Sequence, residues 1–209
     1  MLFRSQGDLF LVGGSYNAQR PDILLHYEMG GLLWKRPIAG VWARQAAGGG
    51  MVLGSLGCFL VIESREHATR RGAPVLGHIA ALATDRCRRR PGEASAVAER
   101  QLATMRHHLR PPHAAVISGA SGVAAVTTEE MTLLGGLELP VRGTATAFGH
   151  SLEPSFPANL ALAALSLARR QLFAPLEPDE QPMTDELRQV LVTSWGHWRG
   201  EALAVVEAG

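Results

Sequence analysis

The sequence predicts an α/β protein whose mostly parallel sheet is covered by helices. Short apolar runs alternate with segments of helical spacing, and residues 189–209 hold two apolar runs joined by a polar, glycine-containing turn. The length of 209 residues favours one domain over two, because a domain typically takes about 150 residues. We therefore predict a single domain over residues 1–209.

The composition excludes several classes of protein. Hydrophobic residues make up 46% and charged residues 19% of the chain, and the net charge is +1, which argues against disorder and against a basic nucleic-acid binder. Cys58 and Cys87 lack the spacing of a zinc site or a disulfide framework, so we predict no metal, no cofactor and a reducing cytoplasm. No stretch of about 18 uncharged apolar residues is present, and the start does not resemble a signal peptide, so no membrane span is expected.

The first third of the chain combines strands with an irregular insertion. Residues 8–14, "DLFLVGG", predict a buried strand that closes on two glycines. Residues 15–49 are rich in Gly, Trp and Pro and predict an irregular insertion of the kind that often covers a site. Residues 51–64 predict two strand segments around Gly54 and Gly57, followed by a short helix that stops at Gly72.

The remaining residues predict strands and helices in alternation. A helix that begins near residue 127 is expected to have Thr127 or Thr128 as its N-cap, and a later one has Ser155 as a possible cap. The predicted strands cover 73–85, the start of 114–122, part of 139–150 and both halves of the closing hairpin, and the predicted helices cover 93–109, 127–136 and 155–171.

Four motifs in this order resemble the later half of a β-ketoacyl-acyl-carrier-protein synthase, a condensing enzyme of the thiolase-like superfamily. They are "DLFLVGG", "GMVLGSLGCFLVIESREHATRRGA", the Gly-His motif in "FGHSL" and the closing "VLVTSWGHWRGEALAVV". The resemblance runs nearly end to end. It implies a layered αβα, thiolase-like fold, a two-fold dimer with a like or unlike subunit, and an acyl carrier protein as a partner.

The resemblance also shows which catalytic groups this chain lacks. In the family a nucleophilic cysteine carries the acyl chain, and two histidines, a lysine and an acid support the condensation. The cysteine would precede Met1, Ser118 occupies the slot of the first histidine, and Ala145 occupies that of the lysine. His150 is the one family catalytic residue that is retained.

The remaining site residues each have two interpretations. His150 either donates a hydrogen bond to an acyl thioester oxygen or is a loop histidine bonded to nearby backbone. Trp195 and Gly196 match the family's gating aromatic and glycine-rich loop, which predicts a substrate channel. The alternative is that Trp195 fills the core.

Three further groups could contact partners or cap helices. Glu129 and Glu130 are expected to be first-turn acids that complement a helix dipole. The arginines of residues 86–90 could dock an acidic carrier protein or form a solvated loop. The apolar residues of the insertion either form a partner surface or cover the protein's own core: Leu24, Leu25, Leu32, Leu33 and Trp34.

The pattern favours a β-ketoacyl synthase-like protein of fatty-acid or related acyl-chain biosynthesis that is inactive alone and pairs with an active condensing enzyme. The alternative is a C-terminal fragment of a genuine 3-oxoacyl synthase whose cysteine-bearing half comes from upstream sequence or another chain. A more distant option is a module that binds an acyl chain without reacting. Losing one oxyanion donor typically costs about 10²- to 10³-fold in rate, so losing several groups together favours the inactive subunit.

Overall fold

The computed structural model describes residues 7–88, 90–195 and 200–209. The strands are β1 Leu9–Tyr16, β2 Leu56–Glu63, β3 His78–Asp85, β4 Ala114–Ser118, β5 Val141–Gly143, β6 Gln189–Trp195 and β7 Glu201–Glu207. The helices are α1 Pro21–Met29, α2 Val41–Ala46, α3 Arg65–Arg71, α4 Glu93–Met105, α5 Ala124–Gly135, α6 Ala145–Phe148 and α7 Ser155–Ala168, with a 3₁₀ turn at Arg106–His108.

The main sheet is mixed, not mostly parallel. Its strand order is β3-β7-β6-β4-β5. Strand β4 runs parallel to β5 and β6, whereas β7 is antiparallel to both β6 and β3. The antiparallel half follows from the closing hairpin, which the sequence predicts, and from β3 adding to the hairpin's outer edge.

Helices cover both faces of this sheet, as the predicted αβα layering requires. Alternate residues of β6 point to opposite layers: Val190 and Val192 pack in the cluster that contains Leu160 and Leu167 of α7. Leu191 packs in the cluster that contains residues of α4 and α5. All five residues of β4 are buried, as expected for a central strand covered on both sides. The α/β fold class is therefore confirmed.

The first predicted strand forms, but it is not buried. Strand β1 pairs antiparallel with β2 in a separate two-stranded sheet, and Leu11 of β1 exposes 71% of its surface. Helix α7 contacts one face of this small sheet through Leu60 and its neighbours. The prediction of burial failed because an apolar run indicates a strand that is stabilised by burial. The run does not show whether another part of the chain packs over that strand.

The insertion is more regular than predicted. Residues 15–49 contain α1 and α2, and α1 begins with Pro21 in its first turn, a position that suits the fixed φ of proline. Residues 51–64 form one strand, β2, instead of two segments. Their first part makes only isolated bridges, Leu33 with Met51 and Leu53 with His150.

Helix ends were predicted with mixed success. Helix α3 ends at Gly72, which has a φ of 65°, as expected for a left-handed C-cap. Helix α5 begins at Ala124, three to four residues before the predicted caps, so Thr127 lies inside it and its hydroxyl accepts from the Gly122 N–H at 3.1 Å. Ser155 lies in the first turn of α7 instead of capping it, because Pro154 takes the N-cap position.

An ion-pair cluster joins the end of β2 to α3. The Glu63 carboxylate accepts from Arg71 at 2.5 and 2.9 Å and contacts Nδ1 of His67 at 2.5 Å. The guanidinium of Arg71, followed by His67, lowers the pKa of Glu63 from 4.5 to about 2. The group is charged in the folded state to a lower pH than in the unfolded state, so its contribution to stability disappears as the pH falls from about 4.5 to about 2.

We expect an NMR titration of Glu63 to give this depressed pKa in the intact protein. Arg71→Gln removes the main cause and should return the pKa of Glu63 toward its ordinary value, with a weaker pH dependence of stability below pH 4.5. An ordinary pKa in the unsubstituted protein would show that the cluster does not persist in solution.

No helix in the described part of the chain has both the length and the apolar character needed to cross a bilayer.

Candidate functional site

Two glycines place His150 at a crossing of two backbone segments. A Cβ on Gly54 would lie 1.7 Å from the carbonyl oxygen of Phe148, and a Cβ on Gly149 would lie 2.8 Å from the nitrogen of Gly54. Gly149 also has a φ of 70°. The His150 N–H donates to Val52 at 2.7 Å, and the Gly54 N–H donates to the carbonyl of His150 at 3.1 Å. The Gly-His motif is therefore needed for close backbone approach as well as for the imidazole.

The His150 ring has a defined tautomer. The Leu152 N–H donates to Nδ1 at 3.0 Å, and the Ser155 hydroxyl lies 3.2 Å from the same nitrogen. A backbone N–H can only donate, so Nδ1 is the acceptor and the proton of the neutral ring is on Nε2. The residue is 8% exposed. In this tautomer the ring N–H is on Nε2, and the contacts at Nδ1 also fit the loop interpretation.

Ser118, in the predicted histidine slot, belongs to a buried polar cluster. Its hydroxyl accepts from the Ala120 N–H at 3.1 Å and donates to Oε1 of Glu130 at 2.6 Å. The Thr193 hydroxyl accepts from the Gly119 N–H at 3.0 Å and also donates to Glu130. Glu130 on α5 is completely buried. The two hydroxyls thus connect the loop after β4 to a single carboxylate.

Helix α7 links Ser118 to His150. Asn159, one turn beyond Ser155 on α7, donates to the Ser118 carbonyl at 3.4 Å, and its Oδ1 lies 2.8 Å from the hydroxyl of Thr144. The parallel pairing of Ser118 with Gly143 brings Thr144 and Ala145 to the same end of the sheet as Ser118. The predicted site positions therefore do converge, around the first two turns of α7.

Trp195 lies on the other side of the sheet. It is 1% exposed and packs in one cluster with Ala94 and Ala98 of α4 and Val126 of α5. This packing is the core role that the sequence left open as the alternative. Gly196 lies outside the described residues, and the assignment of both residues to a substrate channel stays a prediction.

Glu129 and Glu130 do not lie in the first turn of their helix, contrary to the prediction. Because α5 begins at Ala124, both lie in its middle. Glu129 instead accepts from the Gly92 and Ser95 N–H groups at 3.3 and 2.9 Å, so it complements the N-terminus of α4. The buried role of Glu130 was missed because the helix was expected to begin near residue 127, which places both acids in an exposed first turn.

The candidate partner surfaces are only partly exposed, because Leu32, Leu33 and Trp34 of the insertion are half-buried. Leu24 and Leu25 on α1 expose 37% and 59% of their surface. In the arginine-rich loop, Arg86, Arg88 and Arg90 are exposed. The backbone of that loop is held by Glu93, which accepts from the N–H groups of Arg88 and Arg90.

The two cysteines lie in different environments. Burial raises the pKa of the Cys58 thiol on β2. The Cys87 thiol donates to the Glu201 carboxylate at 3.4 Å. A nucleophilic thiolate requires a lowered pKa and a positive environment, and the raised pKa of Cys58 fails the first condition.

Two buried glutamates, which were not among the predicted site residues, connect the insertion to the site. The Glu177 carboxylate accepts from the N–H groups of Trp42 and Ala43 at 3.1 Å each and from the Thr146 hydroxyl at 2.5 Å. Glu180 accepts from the Trp42 indole at 2.9 Å and from the Gly143 N–H at 2.7 Å. These bonds join α2, the end of β5 and α6.

We expect Glu177→Ala to lower the free energy of unfolding by about 2–3 kcal/mol, because the buried Trp42 N–H and two part-buried donors lose their acceptor. Asp179→Ala is the matched control: this side chain is exposed two residues away, and a change within about 0.5 kcal/mol is expected. Urea unfolding measures both. Equal losses in the two variants would contradict the account of this network.

Solved structures resemble the chain over nearly its whole length. The ishigamide ketosynthase/chain length factor matches with a TM-score of 0.75 and 16% identity, over 97% of this chain and 54% of the other. The AntDE ketosynthase, solved with its type II PKS acyl-carrier protein AntF, matches with a TM-score of 0.75 and 19% identity, over 98% of this chain and 57% of the other. The chain has a ketosynthase-type, thiolase-like fold. The Streptomyces albus JA3453 oxazolomycin ketosynthase domain OzmH KS7 agrees, with a TM-score of 0.76 and 17% identity over 97% of this chain and 41% of the other.

The chain spans about half the length of the first two structures that it matches. No protein-family model and no curated protein sequence matches it. At these identities the likeness shows the thiolase-like fold alone.

Proposed function

We propose that this protein is a non-catalytic subunit of a condensing enzyme in acyl-chain assembly, on a fatty-acid or polyketide pathway in the cytoplasm. The observation that carries the proposal is the identity of the residues that lie together near the first two turns of α7. His150 is present there with its ring N–H on Nε2. The Ser118 hydroxyl donates to Glu130, and Ala145 has no functional group.

The chemistry of condensation explains why this site is insufficient. The reaction needs a thiolate to carry the acyl chain and donors aimed at oxygens that become negative. Cys58 has a raised pKa and Cys87 donates to a carboxylate, so neither supplies the thiolate. A single imidazole donor can hold a carbonyl oxygen without breaking or forming a bond. We therefore assign His150 to positioning an acyl thioester.

Two exposed surfaces suit the proposed partners. The apolar residues Leu24 and Leu25 on α1 fit an active condensing-enzyme subunit, because exposed apolar patches commonly mark protein interfaces. The exposed arginines that follow β3 fit an acidic acyl carrier protein. The names of two similar structures support these choices, since one is a ketosynthase/chain length factor and the other a ketosynthase in complex with its acyl-carrier protein.

Incubation with an acyl thioester, followed by intact-protein mass measurement, tests the absence of a nucleophile. We expect the mass of the chain to stay unchanged under conditions that fully acylate an active ketosynthase used as the positive control. A stable adduct that Cys58→Ser or Cys87→Ser removes would overturn the proposal. Co-elution of the chain with an intact ketosynthase from the same organism tests the proposed partnership, and separate elution would count against it.

The half-length match favours a second candidate, a fragment of a genuine synthase. In that case the catalytic cysteine would come from sequence upstream or from another polypeptide. Upstream coding sequence with a cysteine at a strand-to-helix junction would favour the fragment. Acylation of that longer protein, but not of the 209-residue chain, would then be expected.

A further inference from the structure

Residues 150–155 form a connected set of hydrogen bonds around Nδ1 of His150. The Leu152 N–H donates to this nitrogen at 3.0 Å, and the Ser155 hydroxyl lies 3.2 Å from it. The Ser151 N–H in turn donates to Oγ of Ser155 at 2.8 Å. Because Oγ accepts from the backbone of Ser151, the hydroxyl proton is directed elsewhere and is available to the ring. The two groups that face Nδ1 are therefore both donors.

The backbone of Leu152 adopts a conformation that leucine rarely takes. Its φ is 53°, in the left-handed region. Such conformations persist only where the surrounding structure holds them, and they concentrate at functional sites. Here the Ser155 N–H donates to the Leu152 carbonyl at 3.2 Å, and the Ser151 hydroxyl donates to the Gly54 carbonyl at 2.7 Å. This turn brings the Leu152 N–H to the ring, so the unusual backbone serves the contact with Nδ1.

Helix α7 fixes the position of the Ser155 hydroxyl. Ser155 is the first residue of α7, and the preceding Pro154 is buried. Asn159, one turn further along, is 2% exposed and donates to the Ser118 carbonyl at 3.4 Å. A side chain on an anchored helix varies less in position than one on a loop. The same helix therefore holds both His150 and the loop that contains Ser118.

The groups that face Nδ1 decide what Nε2 does. In a neutral imidazole one nitrogen carries the proton and the other accepts. A carboxylate beside Nδ1 holds the proton there and leaves Nε2 as a base, which is the arrangement of hydrolytic triads. In this chain donors face Nδ1, so the proton of the neutral ring lies on Nε2. The arrangement selects hydrogen-bond donation by His150 over general-base catalysis.

We propose that Ser155 is a positioning residue: its hydroxyl, oriented by the Ser151 N–H, donates to Nδ1 and keeps the His150 proton on Nε2. This role rests on the proposed function, in which His150 positions an acyl thioester, and it specifies how the ring is prepared for that task. Pro154 takes the N-cap position of α7, which leaves the Ser155 side chain to the histidine.

Long-range ¹H–¹⁵N NMR of the full chain with ¹⁵N-labelled histidine, at neutral pH and without ligand, tests this role. The resonances of His150 are assigned by their loss in His150→Gln. The unsubstituted protein should show a protonated Nε2 and an unprotonated Nδ1. Ser155→Asp replaces the donor by an acceptor and should place a proton on Nδ1. Ser155→Ala removes one of the two donors and should move the Nδ1 resonance downfield, whereas Ser155→Thr keeps the hydroxyl and should retain the original pattern.

Ser151→Ala is the matched control. It removes a neighbouring hydroxyl that donates to Gly54 instead of to the ring, and it keeps the N–H that orients Ser155. We expect it to leave the His150 resonances in place. A proton on Nδ1 of the unsubstituted protein overturns the proposal, as does a proton that stays on Nε2 in Ser155→Asp. So does an Nδ1 resonance that Ser155→Ala leaves unmoved, or one that Ser155→Thr or Ser151→Ala shifts equally.

Circular dichroism melts establish that each variant is folded before its spectrum is interpreted. If Ser155→Asp does not fold, the comparison of Ser155→Ala with Ser155→Thr decides, because both changes are small at a half-buried position. No acyl ligand is present, so these results do not depend on the acylation and condensation assays. A negative result here removes the role of Ser155 alone, whereas acylation or extension by the chain contradicts the proposed function.

Discussion

Glu130→Ala should lower the free energy of unfolding by about 3–5 kcal/mol. Glu130 is fully buried and accepts from the hydroxyls of Ser118 and Thr193. A buried hydrogen bond to a carboxylate is worth about 1.5–3 kcal/mol, and the alanine variant removes two and leaves a cavity. Because a domain is stabilised by about 5–15 kcal/mol in total, this is a large fraction.

The adjacent glutamate provides the matched control. Glu129→Ala removes the acceptor at the start of α4 and should cost about 1 kcal/mol, as expected for a lost helix cap. Urea unfolding followed by circular dichroism compares the two variants. Glu130→Gln retains one carbonyl oxygen as an acceptor and should lie between them. If the two alanine variants cost the same, or if Glu130→Ala costs less than Glu129→Ala, Glu130 does not organise the loop after β4.

The alternation of strands and helices could be predicted because it depends on the spacing of apolar residues within short segments. The closing hairpin, the layered α/β class and the end of α3 at Gly72 all depend on residues close in sequence. The antiparallel pairing of β3 with β7 was not predicted, since these two strands are distant in sequence. The exposure of β1 was missed for the same reason: cover over a strand is a property of the whole fold.

The candidate site was predicted in part. His150, Ser118 and Ala145 were located by resemblance, and they do converge at one end of the sheet around α7. The buried acids Glu130 and Glu177 were not recognised as organising residues. A glutamate that accepts several hydrogen bonds in a folded core has no sequence signature of its own, because its donors come from segments far along the chain.

Condensation by this chain alone should be undetectable, at least about 10³-fold below the rate of an active ketosynthase. Removing one oxyanion donor costs about 10²- to 10³-fold, and removing the nucleophile eliminates the covalent step. In this chain Ser118 donates to Glu130 and Ala145 has no polar group, so neither replaces a missing catalytic group.

The most direct measurement is product formation by purified chain, free of contaminating synthases, with an acyl-loaded and a malonyl-loaded carrier protein. An active ketosynthase assayed in parallel shows that the substrates are competent. We predict that the chain alone gives no extended acyl product detectable by mass spectrometry. Extension of the acyl chain by this protein unaided would contradict the account of a retained scaffold with an incomplete catalytic site.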